Sequence, residues 1–183
     1  MTVSEGSGAQ AAGLVLVAVG AQPALADRLG TAAERLGALS GWPRQPLAAD
    51  RPPAEALAAL PQGRATQSPP AWIAPLPVDP GLGMESGGCW AEALGAFRQP
   101  TALVLGATQL ASGWPAAATA LLRQEGVPLV GLIQLDGAWE PERRRGEGLP
   151  WLGWLAGAGG EAAEDGQEVL AALAQRWRRL DLL

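Results

Sequence analysis

The sequence predicts an α/β fold with a doubly wound, mostly parallel sheet and helices on both of its faces. Three observations lead to this prediction. Apolar runs of strand length alternate with helical patterns along the chain, which is typical of parallel sheets. Residues 14–19 are apolar at every position, as in a strand covered on both faces. Residues 101–135 have the length of one strand–helix–strand crossover.

The first half of the chain supplies a strand, a helix and then shorter elements. Residues 1–12 predict a disordered lead-in, and residues 13–183 a single domain. The expected elements, in order, are a strand at 14–19, a helix at 23–39, a short strand at 46–48, a short helix at 53–60, a strand at 71–76 and a helix at 89–97. Pro23 suits a first helical turn, where a missing N–H costs nothing.

The second half has the clearest pattern. It predicts a strand at 101–105, a loop at 106–113, a helix at 114–125, a strand at 127–135, a polar loop at 136–149, an edge strand at 150–155 and a helix at 161–179. Gly126 is the expected stop signal of the helix before it.

Composition limits the classes of function. The chain has 183 residues, 48% of them hydrophobic and 17% charged, with a net charge of −5 and one cysteine. No apolar run approaches the ~20 residues of a membrane span, and no basic segment resembles a secretory signal. A cytoplasmic protein is expected. The acidic balance argues against a nucleic-acid surface, which needs clustered positive charge.

Missing residue types limit the chemistry further. The chain contains no His, Lys, Tyr or Asn. These absences exclude a Ser–His–Asp triad, a Cys–His pair, a His-based zinc site and the lysine of a phosphate-binding loop. We therefore expect no catalytic residue, no metal and no cofactor.

The loop after the first strand lies where a phosphate-binding loop would lie. It reads Gly20-Ala21-Gln22-Pro23, and Asp27 stands where such a loop has Ser or Thr. Pro23 removes an N–H donor, and Asp27 would repel phosphate. The simpler interpretation is a plain strand-to-helix turn; the alternative is a weak anion site that uses the helix dipole.

Residues 89–137, with the sequence CWAEALGAFRQPTALVLGATQLASGWPAAATALLRQEGVPLVGLIQLDG, resemble the corresponding part of dethiobiotin synthetases. GLPWLGWL, at 148–155, is similar to a later strand of that family. The resemblance implies the three-layer sandwich of P-loop NTPases, an ATP- and Mg²⁺-dependent carboxylase acting on a diamine, and pairing into a homodimer.

The chain departs from that family at the residues that carry its chemistry. The loop lysine and hydroxyl are missing. The Glu-Gly-x-Gly-Gly motif has only a distorted counterpart at 85–88, and the asparagine that ends a later strand is replaced by Asp136 or by Gln134. We infer a relative that kept the scaffold and lost the ATPase.

Polar residues at the predicted carboxyl edge of the sheet are candidate ligand contacts, because ligands of open parallel sheets bind there. They are Gly20, Gln22, Asp79, Glu85, Asp136, Arg143, Arg144 and Arg145. Two interpretations of the carboxylates are open. In one they bind a metal or act as acid and base, and in the other they are solvated or cap helices. The three arginines also have two interpretations: they clamp an anion, or they form a solvated segment in a flexible loop and pair with neighbouring glutamates.

Eight tryptophans are the remaining unusual feature. Trp90, Trp114 and Trp177 occupy apolar helix positions and are expected in the core. The late group of Trp139, Trp151 and Trp154 forms either ordinary packing or a surface for a protein partner, since tryptophan is enriched in interface hot spots.

The leading hypothesis is a non-catalytic, dethiobiotin synthetase-like scaffold that acts through protein–protein contact, as an assembly or regulatory factor or as a homodimer. The alternative is a small-ligand-binding protein, or an ATP-independent enzyme, that uses the carboxyl edge of the sheet. A dethiobiotin synthetase-like carboxylase is the third hypothesis. It ranks last because phosphoryl transfer depends on positioned positive charge, which the loop after the first strand does not supply.

Overall fold

A computed structural model describes residues 13–61, 70–84, 87–157 and 163–180. Its elements are β1 (Leu14–Val17), α1 (Ala24–Ser40), α2 (Pro53–Ala58), β2 (Ile73–Pro75), α3 (Trp90–Ala96), β3 (Thr101–Gly106), α4 (Ala107–Leu110), α5 (Trp114–Gln124), β4 (Leu129–Leu135), α6 (Pro141–Gly146), β5 (Trp151–Leu155) and α7 (Ala163–Leu180). The predicted lead-in at 1–12 lies outside the described residues.

The five strands form one sheet in the order β2-β1-β3-β4-β5, and every neighbouring pair is parallel. The chain leaves β1 toward one side of the sheet, then returns past it to continue on the other side. The sheet is therefore doubly wound, and its topological switch point lies between β1 and β3. The predicted α/β fold is confirmed, including the crossover from β3 through α5 to β4.

Two apolar clusters cover the two faces of the sheet. Leu14 and Leu16 of β1 pack with α1 and α7 on one face. Val15 and Val17 pack with α2, α3 and α5 on the other face. All four side chains are fully buried, which explains why every position of this strand is apolar.

The predicted strand at 46–48 is wrong. The chain instead runs along the outer edge of β2 a few residues earlier, where the Gln45 N–H donates to the Ile73 carbonyl (2.8 Å) and the Ile73 N–H donates to the Pro43 carbonyl (3.0 Å). Arg44 forms a single parallel bridge to Ile73. Pro43 and Pro46 have no N–H to extend this pairing into a ladder.

Two predicted loops contain short helices. α4 lies within the predicted loop at 106–113, and α6 lies within the predicted polar loop at 136–149. Pro141 occupies the first turn of α6, where its missing N–H has no cost. Among the helices of the described residues, none combines the length and the apolar character needed to cross a bilayer.

Candidate functional site

The carboxyl ends of the strands position the candidate residues. β1 is followed by Ala18, Val19 and Gly20, and α1 begins at Ala24. The chain therefore turns from strand to helix at the place where the sequence predicts a turn. Gly20 has a φ of +116°, a conformation that only glycine adopts without strain.

The amide of Gly20 is held by a carboxylate of the same chain. Its N–H donates to Asp79 Oδ2 (2.9 Å), and the Gly81 N–H donates to Asp79 Oδ1 (2.9 Å). The Gln22 side-chain amide donates to the Pro77 carbonyl. The chain's own acidic side chain thus accepts a hydrogen bond from a loop amide at the place where a phosphate-binding loop would present its donors to phosphate.

A cavity of about 790 Å³ opens beside this contact. Its walls come from the loop after β1, the loop after β2 and one flank of α5, and include Val19, Val78, Leu82, Trp114, Ala118 and Leu121. Asp79 is the only charged residue among the described residues that line it. The volume falls within the roughly 300–1,000 Å³ typical of small-molecule sites.

Two large apolar side chains at this cavity are exposed to solvent. Leu82 is 64% exposed and Trp114 is 49% exposed. The prediction that Trp114 belongs to the core is wrong. The buried face of α5 consists of Pro115, Ala118, Thr119 and Leu122. Trp114 lies on the flank of that face, one turn before Ala118, and so faces the cavity.

On the other side of the same loop lies Arg28, a half-buried arginine of α1. Its Nη1 donates to the Val19 carbonyl (3.3 Å), and its Nε lies 3.0 Å from the position that a Cβ on Gly106 would occupy. The guanidinium therefore lies at the switch point between β1 and β3. Burial lowers the pKa of Arg28 from its ordinary value.

The three predicted arginines lie on α6 and not in a flexible loop. Arg143 and Arg145 are exposed and pair with Glu140 (3.5 Å) and Glu142 (2.6 Å). Arg144 is only 4% exposed, and its Nη1 pairs with Glu147 Oε1 (2.6 Å). Self-pairing with glutamates was the simpler of the two sequence interpretations, and the structure has that pairing.

Arg144 is the centre of a polar network that holds α6 against the sheet. Its Nε donates to Gln134 Oε1 (3.2 Å), and its guanidinium lies 5.0 Å from the centre of the Trp151 ring. Gln134 Nε2 donates to the carbonyls of Asp136 (3.0 Å) and Ala138 (2.9 Å). Gln134, one of the two candidates for the position that asparagine has in dethiobiotin synthetases, thus has hydrogen-bond partners within the chain at both of its side-chain polar atoms.

The predicted carboxylates do not converge. Asp79 follows β2 and Asp136 follows β4, three positions apart in the sheet, or about 14 Å at the usual strand spacing. Asp136 is exposed and accepts a hydrogen bond from the Gly137 N–H (2.9 Å). Glu85 lies outside the described residues. Within residues 13–61, 70–84, 87–157 and 163–180, no three acidic or cysteine side chains group as metal ligands.

The late tryptophans lie beside the arginine network at the edge strand β5. Trp139 and Trp151 meet edge to face, with ring centres 6.2 Å apart, and the Trp151 Nε1–H donates to Glu147 Oε2 (2.8 Å). Trp154 pairs in register with Gln134 and Trp151 with Leu132, so both rings lie on one face of the sheet. All three tryptophans are partly exposed.

No protein-family model matches the chain, and no curated protein shows significant sequence similarity to it.

The residues that distinguish the site around β1 were not predicted from the sequence. Arg28 was expected only as a residue of the first helix, Trp114 was expected in the core, and Leu82 had no predicted role. One available signal was the position of Arg28, one residue after the place of the phosphate-binding hydroxyl. On a helix, side chains lean toward the N-terminus, and an arginine at that position reaches back to the strand end.

Proposed function

We propose that this protein is a non-catalytic, dethiobiotin synthetase-like scaffold that binds a small apolar molecule in the cavity between the β1 loop, the β2 loop and α5. The proposal combines two hypotheses from the sequence. It takes the non-catalytic scaffold from the leading hypothesis and the binding of a small ligand from the alternative. The cavity itself is the observation that carries the proposal. A pocket of ligand size, lined mainly by aliphatic side chains with an exposed indole at its mouth, favours an apolar ligand.

The environment of Asp79 supports the loss of nucleotide binding. A triphosphate in this loop would have to displace the Asp79 carboxylate from the Gly20 amide, or bear its negative charge at close range. No lysine is available to offset that repulsion. Calorimetry with Mg²⁺–ATP is expected to give no binding tighter than millimolar, and micromolar affinity would overturn the non-catalytic proposal.

The cavity is tested with N-phenyl-1-naphthylamine, a neutral apolar dye whose fluorescence rises in apolar surroundings. Ala117 lines the cavity and is exposed, so Ala117→Phe fills the space without disturbing the core. We expect saturable dye binding to the wild type and at least tenfold weaker binding to this variant.

Ala120→Phe is the matched control, because Ala120 is exposed on the same helix and does not line the cavity. This control is expected to bind the dye as the wild type does. The proposal fails if the wild type shows no saturable binding, or if the two variants bind the dye equally.

A second candidate function is protein contact through the tryptophan surface of Trp139, Trp151 and Trp154. The partly exposed pair of rings at the edge strand supports it, because indoles at an edge bury much area on association. The expected form is a homodimer. Sedimentation equilibrium would show a dimer that Trp139→Ala weakens and that Phe97→Ala, an exposed aromatic change elsewhere, leaves intact. An unchanged dimer in Trp139→Ala, or a monomeric wild type, would remove this candidate.

A further inference from the structure

The amino-terminal edge of the sheet, opposite the cavity, carries a group of arginines. α5 leads through a short turn into the start of β4, so Arg123 near its end lies at this edge. Arg98 lies there too, because it follows α3 and precedes β3. The ends of α3 and α5 are in direct contact, since a Cβ on Gly95 would lie 1.7 Å from the Glu125 carbonyl oxygen.

α7 brings further arginines to the same edge. Its last two turns hold Arg176, Arg178 and Arg179. Burial lowers the pKa of Arg176, and the positive charges of Arg179 and Arg123 lower it further, because these guanidiniums lie close enough to repel one another. α5 and α7 pack on opposite faces of the sheet, and their ends therefore meet below its amino-terminal edge.

These arginines have no carboxylate partner among the described residues. The ion pairs found there all join arginines of α6 to glutamates within or beside that helix. The dipole of each helix favours a cation at its own C-terminus, but it does not favour bringing the cations of two helices together. An anionic partner would relieve their repulsion. The group of Arg98, Arg123, Arg176, Arg178 and Arg179 is termed the arginine edge.

An exposed aromatic ring accompanies the arginine edge. Phe97 is 38% exposed and directly precedes Arg98 at the end of α3. It is one of the few large apolar side chains that the described part of the chain leaves exposed, and the other two line the cavity at the opposite edge. The surface therefore offers an apolar contact beside its positive charge.

We propose that the arginine edge, together with Phe97, binds a short acidic segment of a partner protein. Guanidiniums pair with carboxylates through two parallel hydrogen bonds, and arginine clusters recur where proteins recognise acidic motifs. The net charge of −5 favours a short segment over a nucleic acid or a membrane surface, because a longer polyanion would also meet the chain's own carboxylates. The surface lies at the opposite ends of the strands from the cavity and does not depend on an apolar ligand.

The test is fluorescence anisotropy of a short fluorescein-labelled peptide of glutamates with one central leucine, titrated with the full chain at constant ionic strength. We expect saturable binding, no binding of the same peptide with glutamines, and at least tenfold weaker binding by Arg123→Gln/Arg179→Gln. No saturable binding to the wild type, wild-type affinity in this double variant, or equal binding of the two peptides would overturn the proposal.

Arg143→Gln/Arg145→Gln is the matched control, because it removes the same charge from two exposed arginines of α6, at the carboxyl edge. It is expected to bind the peptide as the wild type does, and equal losses in the two double variants would reduce the effect to net charge. Arg123 and Arg179 are both exposed, so their replacement should leave the fold intact. If the double variant does not fold, Arg123→Gln alone should still lose affinity several-fold, and wild-type affinity there would contradict the proposal.

Sedimentation with vesicles of phosphatidylcholine and phosphatidylserine, and titration with a DNA duplex, separate a protein partner from other anionic partners. We expect both to bind more weakly than the glutamate peptide. Tighter binding of either one, lost in Arg123→Gln/Arg179→Gln, would overturn the assignment to a protein segment. Dye binding in the same variant should equal that of the wild type, because the cavity lies at the other edge.

Discussion

Two arginines at the same edge of the sheet have opposite surroundings. Arg144, at the end of β4 and β5, is 4% exposed and contacts a carboxylate, a side-chain amide and an indole ring. Arg28, at the end of β1 and β3, is half-buried and donates only to the Val19 carbonyl (3.3 Å) among the described residues. The side chain of Arg144 is therefore enclosed by partners, whereas that of Arg28 has a single hydrogen bond to the described part of the chain.

This difference separates an arginine held by buried partners from one whose remaining donors are not buried. The network around Arg144 satisfies the buried polar groups of Gln134 and fixes α6 on the sheet, as buried polar groups require. Arg28 is only partly buried, and among the described residues none of its nitrogen atoms is buried without a partner, so water can hydrate its charge. The apolar cavity is lined by Val19, whose carbonyl Arg28 contacts, and by no residue of α6.

The largest expected effect is from Arg144→Met. This variant leaves the buried Gln134 Oε1 without its donor and removes the ion pair with the partly exposed Glu147, so we expect a loss of about 2–3 kcal/mol in the free energy of unfolding. Urea denaturation followed by circular dichroism measures it. Arg143→Met, at an exposed ion pair, is the control and should cost less than about 0.5 kcal/mol. Equal losses in the two variants would contradict the structural role of Arg144.

Asp79→Ala is expected to cost about 1–2 kcal/mol, because two backbone N–H groups lose their acceptor. Asp79→Asn keeps one amide oxygen as an acceptor, so its loss should be smaller. The same denaturation experiment gives both values. If Asp79→Ala unfolds at the wild-type urea concentration, the carboxylate does not hold the loops after β1 and β2 together.

Arg28→Met sharpens the comparison most directly. It loses one long hydrogen bond and no ion pair, and it removes a half-buried charge, so we expect stability within about 0.5 kcal/mol of the wild type or slightly above it. A loss as large as that of Arg144→Met would mean that Arg28, too, is a structural residue.

The smallest effect concerns an arginine that faces other arginines. Burial, and then the charges of Arg179 and Arg123, lower the pKa of Arg176. Arg123→Gln relieves part of this repulsion and should stabilise the protein by a few tenths of a kcal/mol at low ionic strength. The gain should disappear in 1 M NaCl, where screening is nearly complete. A gain that does not depend on salt would rule out the repulsion as its cause.

The sequence predicted the strands well, because burial on both faces leaves an unbroken apolar signal. Leu14 to Val17 show this directly, with alternate side chains in opposite clusters. The prediction of a strand at 46–48 was wrong because Pro43 and Pro46 permit only a single bridge, at Arg44. α6 was not predicted because its residues are polar. Its buried residue is Arg144, so no apolar periodicity marks the helix.

The candidate site was predictable only in outline. The carboxyl edge and Asp79 followed from the order of strands and loops. The exposure of Trp114 did not, because it depends on which flank of α5 the β2 loop leaves uncovered. The contact of Arg28 with the Val19 carbonyl did not either, because residue spacing does not say which groups meet at the ends of the strands.

The most direct test of the account is a chemical-shift map of the ¹⁵N-labelled protein with added dye. We expect the shifted amides to lie around the cavity, at Val19, Gly20, Leu82 and the first turns of α5, and the amides of α6 and β5 to stay unchanged. Shifts concentrated at α6 and β5 instead would contradict the claim that binding belongs to the β1 end of the sheet.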